Sequence, residues 1–313
     1  MWEGSQLGKA QASLAWIVGS NPTPLSIFII KGDRAIMKNL EELTIEDILD
    51  MDYNNIISVV KETNRVPGGY ATLQEIANAA GIKKGKKVLE IGTSTGISAI
   101  ELTRLTECNM ESIDINERSI QEAKERAKLE RVGSFINFSV QDARNTIFDS
   151  ESFDFVFCGN VTSLIPERER AREEYFRVLK NGGFLAAVPM YYIKTPSEKL
   201  LNDVRSAIKT NVEVVGKDYW IDFYRHKNMC FKYVRDFKFD YIDNKTLDLF
   251  IEYILNKPHL KCLKPDVYNT LCKKYREYIY LFRDNLSHMG YTIILMSKEM
   301  NNDEPELFIG SPI

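Results

Sequence analysis

The stretch Val88-Leu89-Glu90-Ile91-Gly92-Thr93-Ser94-Thr95-Gly96-Ile97-Ser98-Ala99-Ile100 decides how this chain is read. Its short apolar run, interrupted by one acid and ended by glycine, has the pattern of a parallel strand buried on both faces. Gly92 and Gly96 then let the backbone turn sharply and pass close to a ligand before a helix begins. Strand, glycine turn and helix in that order build a cofactor pocket.

Taken alone, the turn is ambiguous, because G-x-S-x-G also describes a nucleophile elbow with Ser94 as the attacking hydroxyl. A serine hydrolase needs a later acid and then a histidine. The three histidines, His226, His259 and His288, all fall in a stretch that reads as an insertion or a final helix. A dinucleotide-binding turn fits poorly too, since the G-x-G-x-x-G spacing is absent and Glu90 has no role in it. A carboxylate at that strand end suits a cationic or amino-bearing ligand.

With its acid-ended strand and glycine turn, the stretch resembles motif I of the class I S-adenosylmethionine (SAM) methyltransferases. Reading outward supports the resemblance. Met110 to Ile115 forms a second strand whose Asp114 lies about 20 residues beyond the turn, the spacing of a ribose-binding carboxylate. A helix over Ser119 to Arg131 and a strand over Phe135 to Val140 lead to Gln141-Asp142-Ala143, where the family places a carboxylate near the adenine amino group. A fourth strand, Phe153 to Cys158, runs into Gly159-Asn160-Val161; then come a helix over Glu169 to Leu179, the turn Lys180-Asn181-Gly182-Gly183 and a strand to Pro189. The resemblance covers residues from about 84 to 190. It implies SAM as cofactor, held by Glu90, Gly92, Thr93, Ser94, Gly96, Asp114, Ile115, Asp142, Ala143 and Asn160. It also implies an α/β, doubly wound, Rossmann-like seven-stranded sheet, with N-terminal helices and a cap inserted before the last strands.

Composition agrees with an enzyme of this kind. The 313 residues, 44% hydrophobic, can fill a sizeable core. A net charge of -3 lacks the basic footprint of a nucleic-acid binder. Five scattered cysteines suggest neither a zinc site nor a disulfide framework, which favours a reducing cytoplasm. Apolar patches over 12–18 and 25–30 are broken by Asn21, Pro22 and Pro24 and fall short of the roughly 20 residues of a membrane span. No membrane and no nucleic acid partner are expected; a homodimer is allowed. Residues 1–36 are expected to be a poorly packed extension, with Met37 as a natural start. The remaining expected units are an N-terminal helical segment over 37–83, a SAM-binding core over 84–190, a substrate cap over 191–289, and a final strand and tail over 290–313.

Substrate chemistry is less legible. Asn64 to Tyr70, rich in Gly and Pro, breaks the helical pattern just before the core, which makes Arg65 a candidate carboxylate binder and Tyr70 a pocket wall, unless the segment is a plain inter-helix loop. Tyr219, Trp220, Phe223 and Tyr224 read either as an apolar lid or as the core of the cap. His226, between Arg225 and Lys227, is the first candidate for a general base because imidazole titrates near neutrality.

Cys158-Gly159 stands where the catechol-type O-methyltransferases carry a metal-binding acid, so no metal is expected. The Asn/Asp-Pro-Pro-Tyr/Phe loop of base and glutamine methylases is missing. The chain is most similar to bacterial small-molecule methyltransferases, including those of natural-product pathways. Cationic residues of the cap, with Arg65, favour a carboxylate-bearing acceptor such as an amino acid or 2-oxo acid. A nucleic-acid or protein methyltransferase and a non-catalytic SAM-binding protein stand as alternatives.

Overall fold

The computed structural model describes residues 26–31, 34–63 and 65–299; the first part of the expected extension, and the tail beyond 299, lie outside the described residues. The strands are β1 (Ser26–Lys31), β2 (Arg34–Asn39), β3 (Lys87–Ile91), β4 (Asn109–Asp114), β5 (Ile136–Val140), β6 (Phe153–Cys158), β7 (Leu179–Ala187), β8 (Met190–Tyr192), β9 (Met229–Lys238) and β10 (Met289–Lys298). The α-helices are α1 (Ile45–Asp50), α2 (Tyr53–Val59), α3 (Gly69–Ala79), α4 (Ile97–Thr106), α5 (Glu117–Leu129), α6 (Arg168–Val178), α7 (Glu198–Ile208), α8 (Lys217–Tyr224), α9 (Asn244–Leu255) and α10 (Pro265–Leu286).

β1 and β2 form an antiparallel hairpin, so the later part of the stretch 1–36 has regular backbone pairing. The other eight strands make one sheet with the path β5-β4-β3-β6-β7-β10. β3 to β7 run parallel, and β10 enters antiparallel to β7. Gly290 faces Tyr191 of β8 on one side and Lys238 of β9 on the other. β8 therefore extends β7 beyond the break at Val188-Pro189, and β9 closes the far edge. The result is the doubly wound α/β sheet that the glycine turn implied.

The alternation of side chains explains the unbroken apolar runs. Val88, Phe155, Phe157, Ile293 and Leu295 face a core shared with α3, α4 and α5. Their neighbours Leu89, Ile91, Val156, Cys158, Ile294 and Met296 face the opposite core, shared with α6 and α8. A strand covered on both faces has no polar side to display.

The stretch 191–289, expected to be a single cap, divides in three. α8 packs on the sheet through Trp220, which is 1% exposed and donates from its indole N–H to the Met190 carbonyl at 3.0 Å. β9 joins the sheet, while Val212 to Val215 is irregular. α9 and α10 build a cap around a core completed by Leu40, Leu43, Ile48, Met51, Ile56 and Val59 from the N-terminal segment, and α7 packs on α10 and α2, with Lys209 donating to the Asp50 carbonyl at 3.1 Å. Thr44 caps α1 as its sequence suggests, accepting from the Asp47 N–H at 3.2 Å. Among the described residues no helix is long and apolar enough to cross a membrane.

Candidate cofactor and active site

The strand order reverses at β3, which pairs with β4 on one side and β6 on the other. In open α/β sheets, ligands bind at such a switch point, outside the carboxyl ends of the strands. Gly92, Asp114 with Ile115, Asp142 with Ala143, and Asn160 stand at or within three residues of the ends of β3, β4, β5 and β6. The fold thus brings the expected cofactor residues into one row.

The turn is held tightly. The Gly92 and Thr93 N–H groups both donate to the Ile113 carbonyl, at 2.8 and 3.0 Å, and the Gly96 N–H donates to the Thr93 carbonyl at 2.9 Å. Gly92 and Gly96 have φ of +82° and +80°, a left-handed backbone that L side chains rarely adopt. A Cβ at Gly92 would meet the Val161 side chain at 2.7 Å, and one at Gly96 would meet the Ala123 Cβ of α5 at 2.7 Å. Both glycines are therefore demanded by packing as well as by torsion. Ser94 sits between them at φ +47° without that freedom.

Glu90 is 2% exposed, and its carboxylate accepts from the Ser112 hydroxyl, which is itself 2.6 Å from the Thr93 hydroxyl. Burial pushes the Glu90 carboxyl up to about 8, against the lowering effect of the Ser112 hydrogen bond, and the nearby Asp114 charge adds to the rise. Thr95, 8% exposed, has a buried hydroxyl without a hydrogen-bond partner. Asp114 accepts from the Ser94 N–H through Oδ2 and from the Asn116 N–H through Oδ1, both at 2.9 Å. Burial raises its carboxyl, and these backbone donors oppose the rise. Each oxygen retains acceptor capacity for a hydroxyl. Ile115 beside it is a 71% exposed apolar side chain.

Two expected ligands are already engaged. Arg144 grips Asp142 bidentately, with Nε 3.0 Å from Oδ1 and a terminal nitrogen 2.7 Å from Oδ2, and this guanidinium holds the carboxyl below its usual range. Asn160 Oδ1 accepts from the Met190 N–H at 2.9 Å, tying the end of β6 to β8. Ser112 and Arg144 were missed in the sequence. A basic residue two places after the acid was a readable cue for Arg144; Ser112 was not readable, because its role depends on the register of β4 against β3.

Of the three candidate catalytic residues, the fold brings two toward this row. Val66 lies against the start of the loop after β6, its Cγ2 3.5 Å from a Cβ built on Gly159, which places the Arg65 to Tyr70 segment over the strand ends. Arg65 itself is paired with Glu101 of α4 at 3.0 Å, and Tyr70 is 47% exposed.

His226 is a correction. Its ring lies 5.0 Å from that of Phe176, late in α6, tilted by 45°, and its Nε2 is 4.0 Å from Glu173. It precedes Met229, which pairs with Lys298, and the Lys298 ammonium donates to the carbonyls of Phe176 and Leu179, where β7 begins. His226 therefore stands at the amino ends of the parallel strands, the opposite end of the sheet from the glycine turn. The aromatic run that precedes it is core, not lid, since Trp220, Phe223 and Tyr224 are 1%, 7% and 0% exposed. Cys158 is a buried wall residue, its thiol 3.6 Å from the Tyr224 hydroxyl and pushed up to about 11 by burial.

Comparison with known proteins agrees with this geometry. The methyltransferase domain family matches residues 89–187. An uncharacterized protein of Haemophilus influenzae is 30% identical over 171 residues, covering 53% of this chain and 67% of that protein. The sterol 24-C-methyltransferase erg6 of Aspergillus fumigatus is 34% identical over 108 residues, covering 34% of this chain but only 29% of the fungal enzyme. The crystal structure of the MccD protein superposes with a TM-score of 0.64 at 24% identity, over 76% of this chain and 100% of that one.

Proposed function

The chain belongs to the class I SAM-dependent methyltransferases, and from that membership we propose that it transfers the SAM methyl group to a small-molecule acceptor held beneath the helical cap. The observation that carries this reading is the buried Glu90 carboxyl beside the positive-φ turn, with the orphaned Thr95 hydroxyl close by in sequence. A carboxyl buried at such cost is repaid when an ammonium arrives. In this reading Glu90 receives the amino group of the cofactor, Asp114 accepts the ribose hydroxyls, and Ile115 supplies an apolar surface for the adenine. Asp142 reaches the adenine amino group only by sharing its carboxylate with Arg144.

Bound SAM supplies an already activated methyl, so the protein's task is alignment and exclusion of water. In this reading Val66, which lies against Gly159, helps to exclude water at the strand ends. The finer reading, a carboxylate-bearing amino acid or 2-oxo acid, rests on Arg65 exchanging Glu101 for the acceptor. Arg235 and Arg225 give it little support, because they face Glu75 at 3.2 Å and Asp222 at 3.5 Å.

The test is calorimetric titration with S-adenosylhomocysteine, which carries the same amino and ribose groups, near pH 7. Binding should release a proton as Glu90 ionises, seen as a dependence of the heat on the buffer's ionisation enthalpy. Glu90→Gln should weaken binding and abolish the proton release. Tight binding by the variant with the same proton release would sink the assignment.

A further inference from the structure

Behind the glycine turn, α5 and the edge strand β5 enclose a depression of about 470 Å3, within the size range of small-ligand sites. Its floor is apolar and buried: Ala127, Ile136 and Phe138 are 1%, 7% and 4% exposed. Its rim is cationic, formed by Lys124, Lys128 and Arg131. The two lysines are one helical turn apart, so they stand on the same face of α5 and repel one another. Two nearby acids are engaged elsewhere: Glu122 accepts from Ser58, and Glu130, just past α5, pairs with Arg104. Among the described residues no ion pair reaches any of the three rim cations. The rim leaves three positive charges around an apolar floor.

We infer that this depression binds a phosphate monoester of an aromatic or other flat apolar group. The three cations match the two negative charges of such a phosphate, with Arg131 offering a bidentate fork, and Ile136 and Phe138 match the ring. None of the cofactor-row residues lines it: Gly96 packs on Ala123, and the apolar floor of the depression begins one helical turn further along α5, at Ala127. It does not depend on the acceptor or on methyl transfer.

The experiment uses the full chain saturated with S-adenosylhomocysteine, so that the cofactor row is filled, and titrates phenyl phosphate by calorimetry. Inorganic phosphate and phenol are run as the separate anion and ring. Phenyl phosphate should bind saturably and more tightly than either part. The variant Lys128→Gln with Arg131→Gln should bind it at least tenfold more weakly while keeping the wild-type melting midpoint and S-adenosylhomocysteine affinity. No saturable binding, equal affinity for phosphate and phenyl phosphate, or undiminished binding by the variant would each overturn the inference.

Discussion

Replacing Gly96 by alanine tests whether the turn is shaped by packing as well as by torsion. At φ +80° an alanine gives up about 1–2 kcal/mol relative to a right-handed backbone. Its Cβ would also stand 2.7 Å from the Ala123 Cβ and 3.0 Å from the Ala123 Cα, with Phe138 Cε1 at 3.5 Å behind them. The Cα belongs to the backbone of α5 and cannot rotate away, so an overpacking cost of about 1–3 kcal/mol adds to the torsional one. The expected loss is about 2–5 kcal/mol, a large part of the stability of an ordinary domain. Gly85 is the matched control, with φ +85° and nothing within 4 Å of its built Cβ, so Gly85→Ala carries the torsional cost alone. Urea denaturation of both variants measures the difference. Ala123→Gly added to Gly96→Ala removes the nearest clashing atom and should recover part of the loss, less about 1 kcal/mol for glycine within a helix. A Gly96→Ala protein no less stable than Gly85→Ala would refute the packing argument.

Three further outcomes follow from the same geometry. Glu90 keeps its proton in the folded protein to about pH 8 but only to its ordinary, lower value once unfolded, so the native state binds more protons in between. Stability of the cofactor-free protein should therefore fall as pH rises from about 5 through 8, and Glu90→Gln should flatten that slope in denaturation midpoints measured across the window. Arg144→Ala should let the Asp142 carboxyl rise toward its ordinary value, read by NMR titration; an unmoved titration would contradict the bidentate grip. Trp220→Ala should cost about 3–5 kcal/mol, as expected for a buried indole, whereas a lid residue would leave the denaturation midpoint almost unchanged.

What the sequence revealed and what it hid divides along a physical line. The sheet was legible because each central strand repeats one requirement, apolar on both faces, over consecutive residues such as Phe155, Val156 and Phe157. Asp114 was legible because a βαβ unit fixes its distance from the turn. The aromatic run from Tyr219 to Tyr224 was ambiguous for a different reason: burial of Trp220 and Tyr224 depends on which face of the sheet α8 covers, which no local pattern encodes. His226 was misplaced because its position follows from the register of β9 on β10. Its chemistry as an imidazole suited a base, but only the pairing of Met229 with Lys298 reveals which end of the sheet it occupies.

The cap carries the least local signal, because its core is assembled from segments some two hundred residues apart. Ile48 of α1 and Leu271 of α10 are both 0% exposed within one cluster, and the Lys274 ammonium, one turn after Leu271, donates to the Ile48 carbonyl at 2.9 Å. If the two segments form one cooperative unit, a cavity opened at either position loosens the wall of the other. Ile48→Ala and Leu271→Ala should each cost about 2–5 kcal/mol. Their combination should then depart from the sum by more than the roughly 0.5 kcal/mol scatter of independent sites. Additivity within that scatter would mean that the N-terminal helices and the insertion between β9 and β10 are separate bodies. A coupled pair would instead make the N-terminal helices and the insertion one body, packed through the shared core of Ile48 and Leu271.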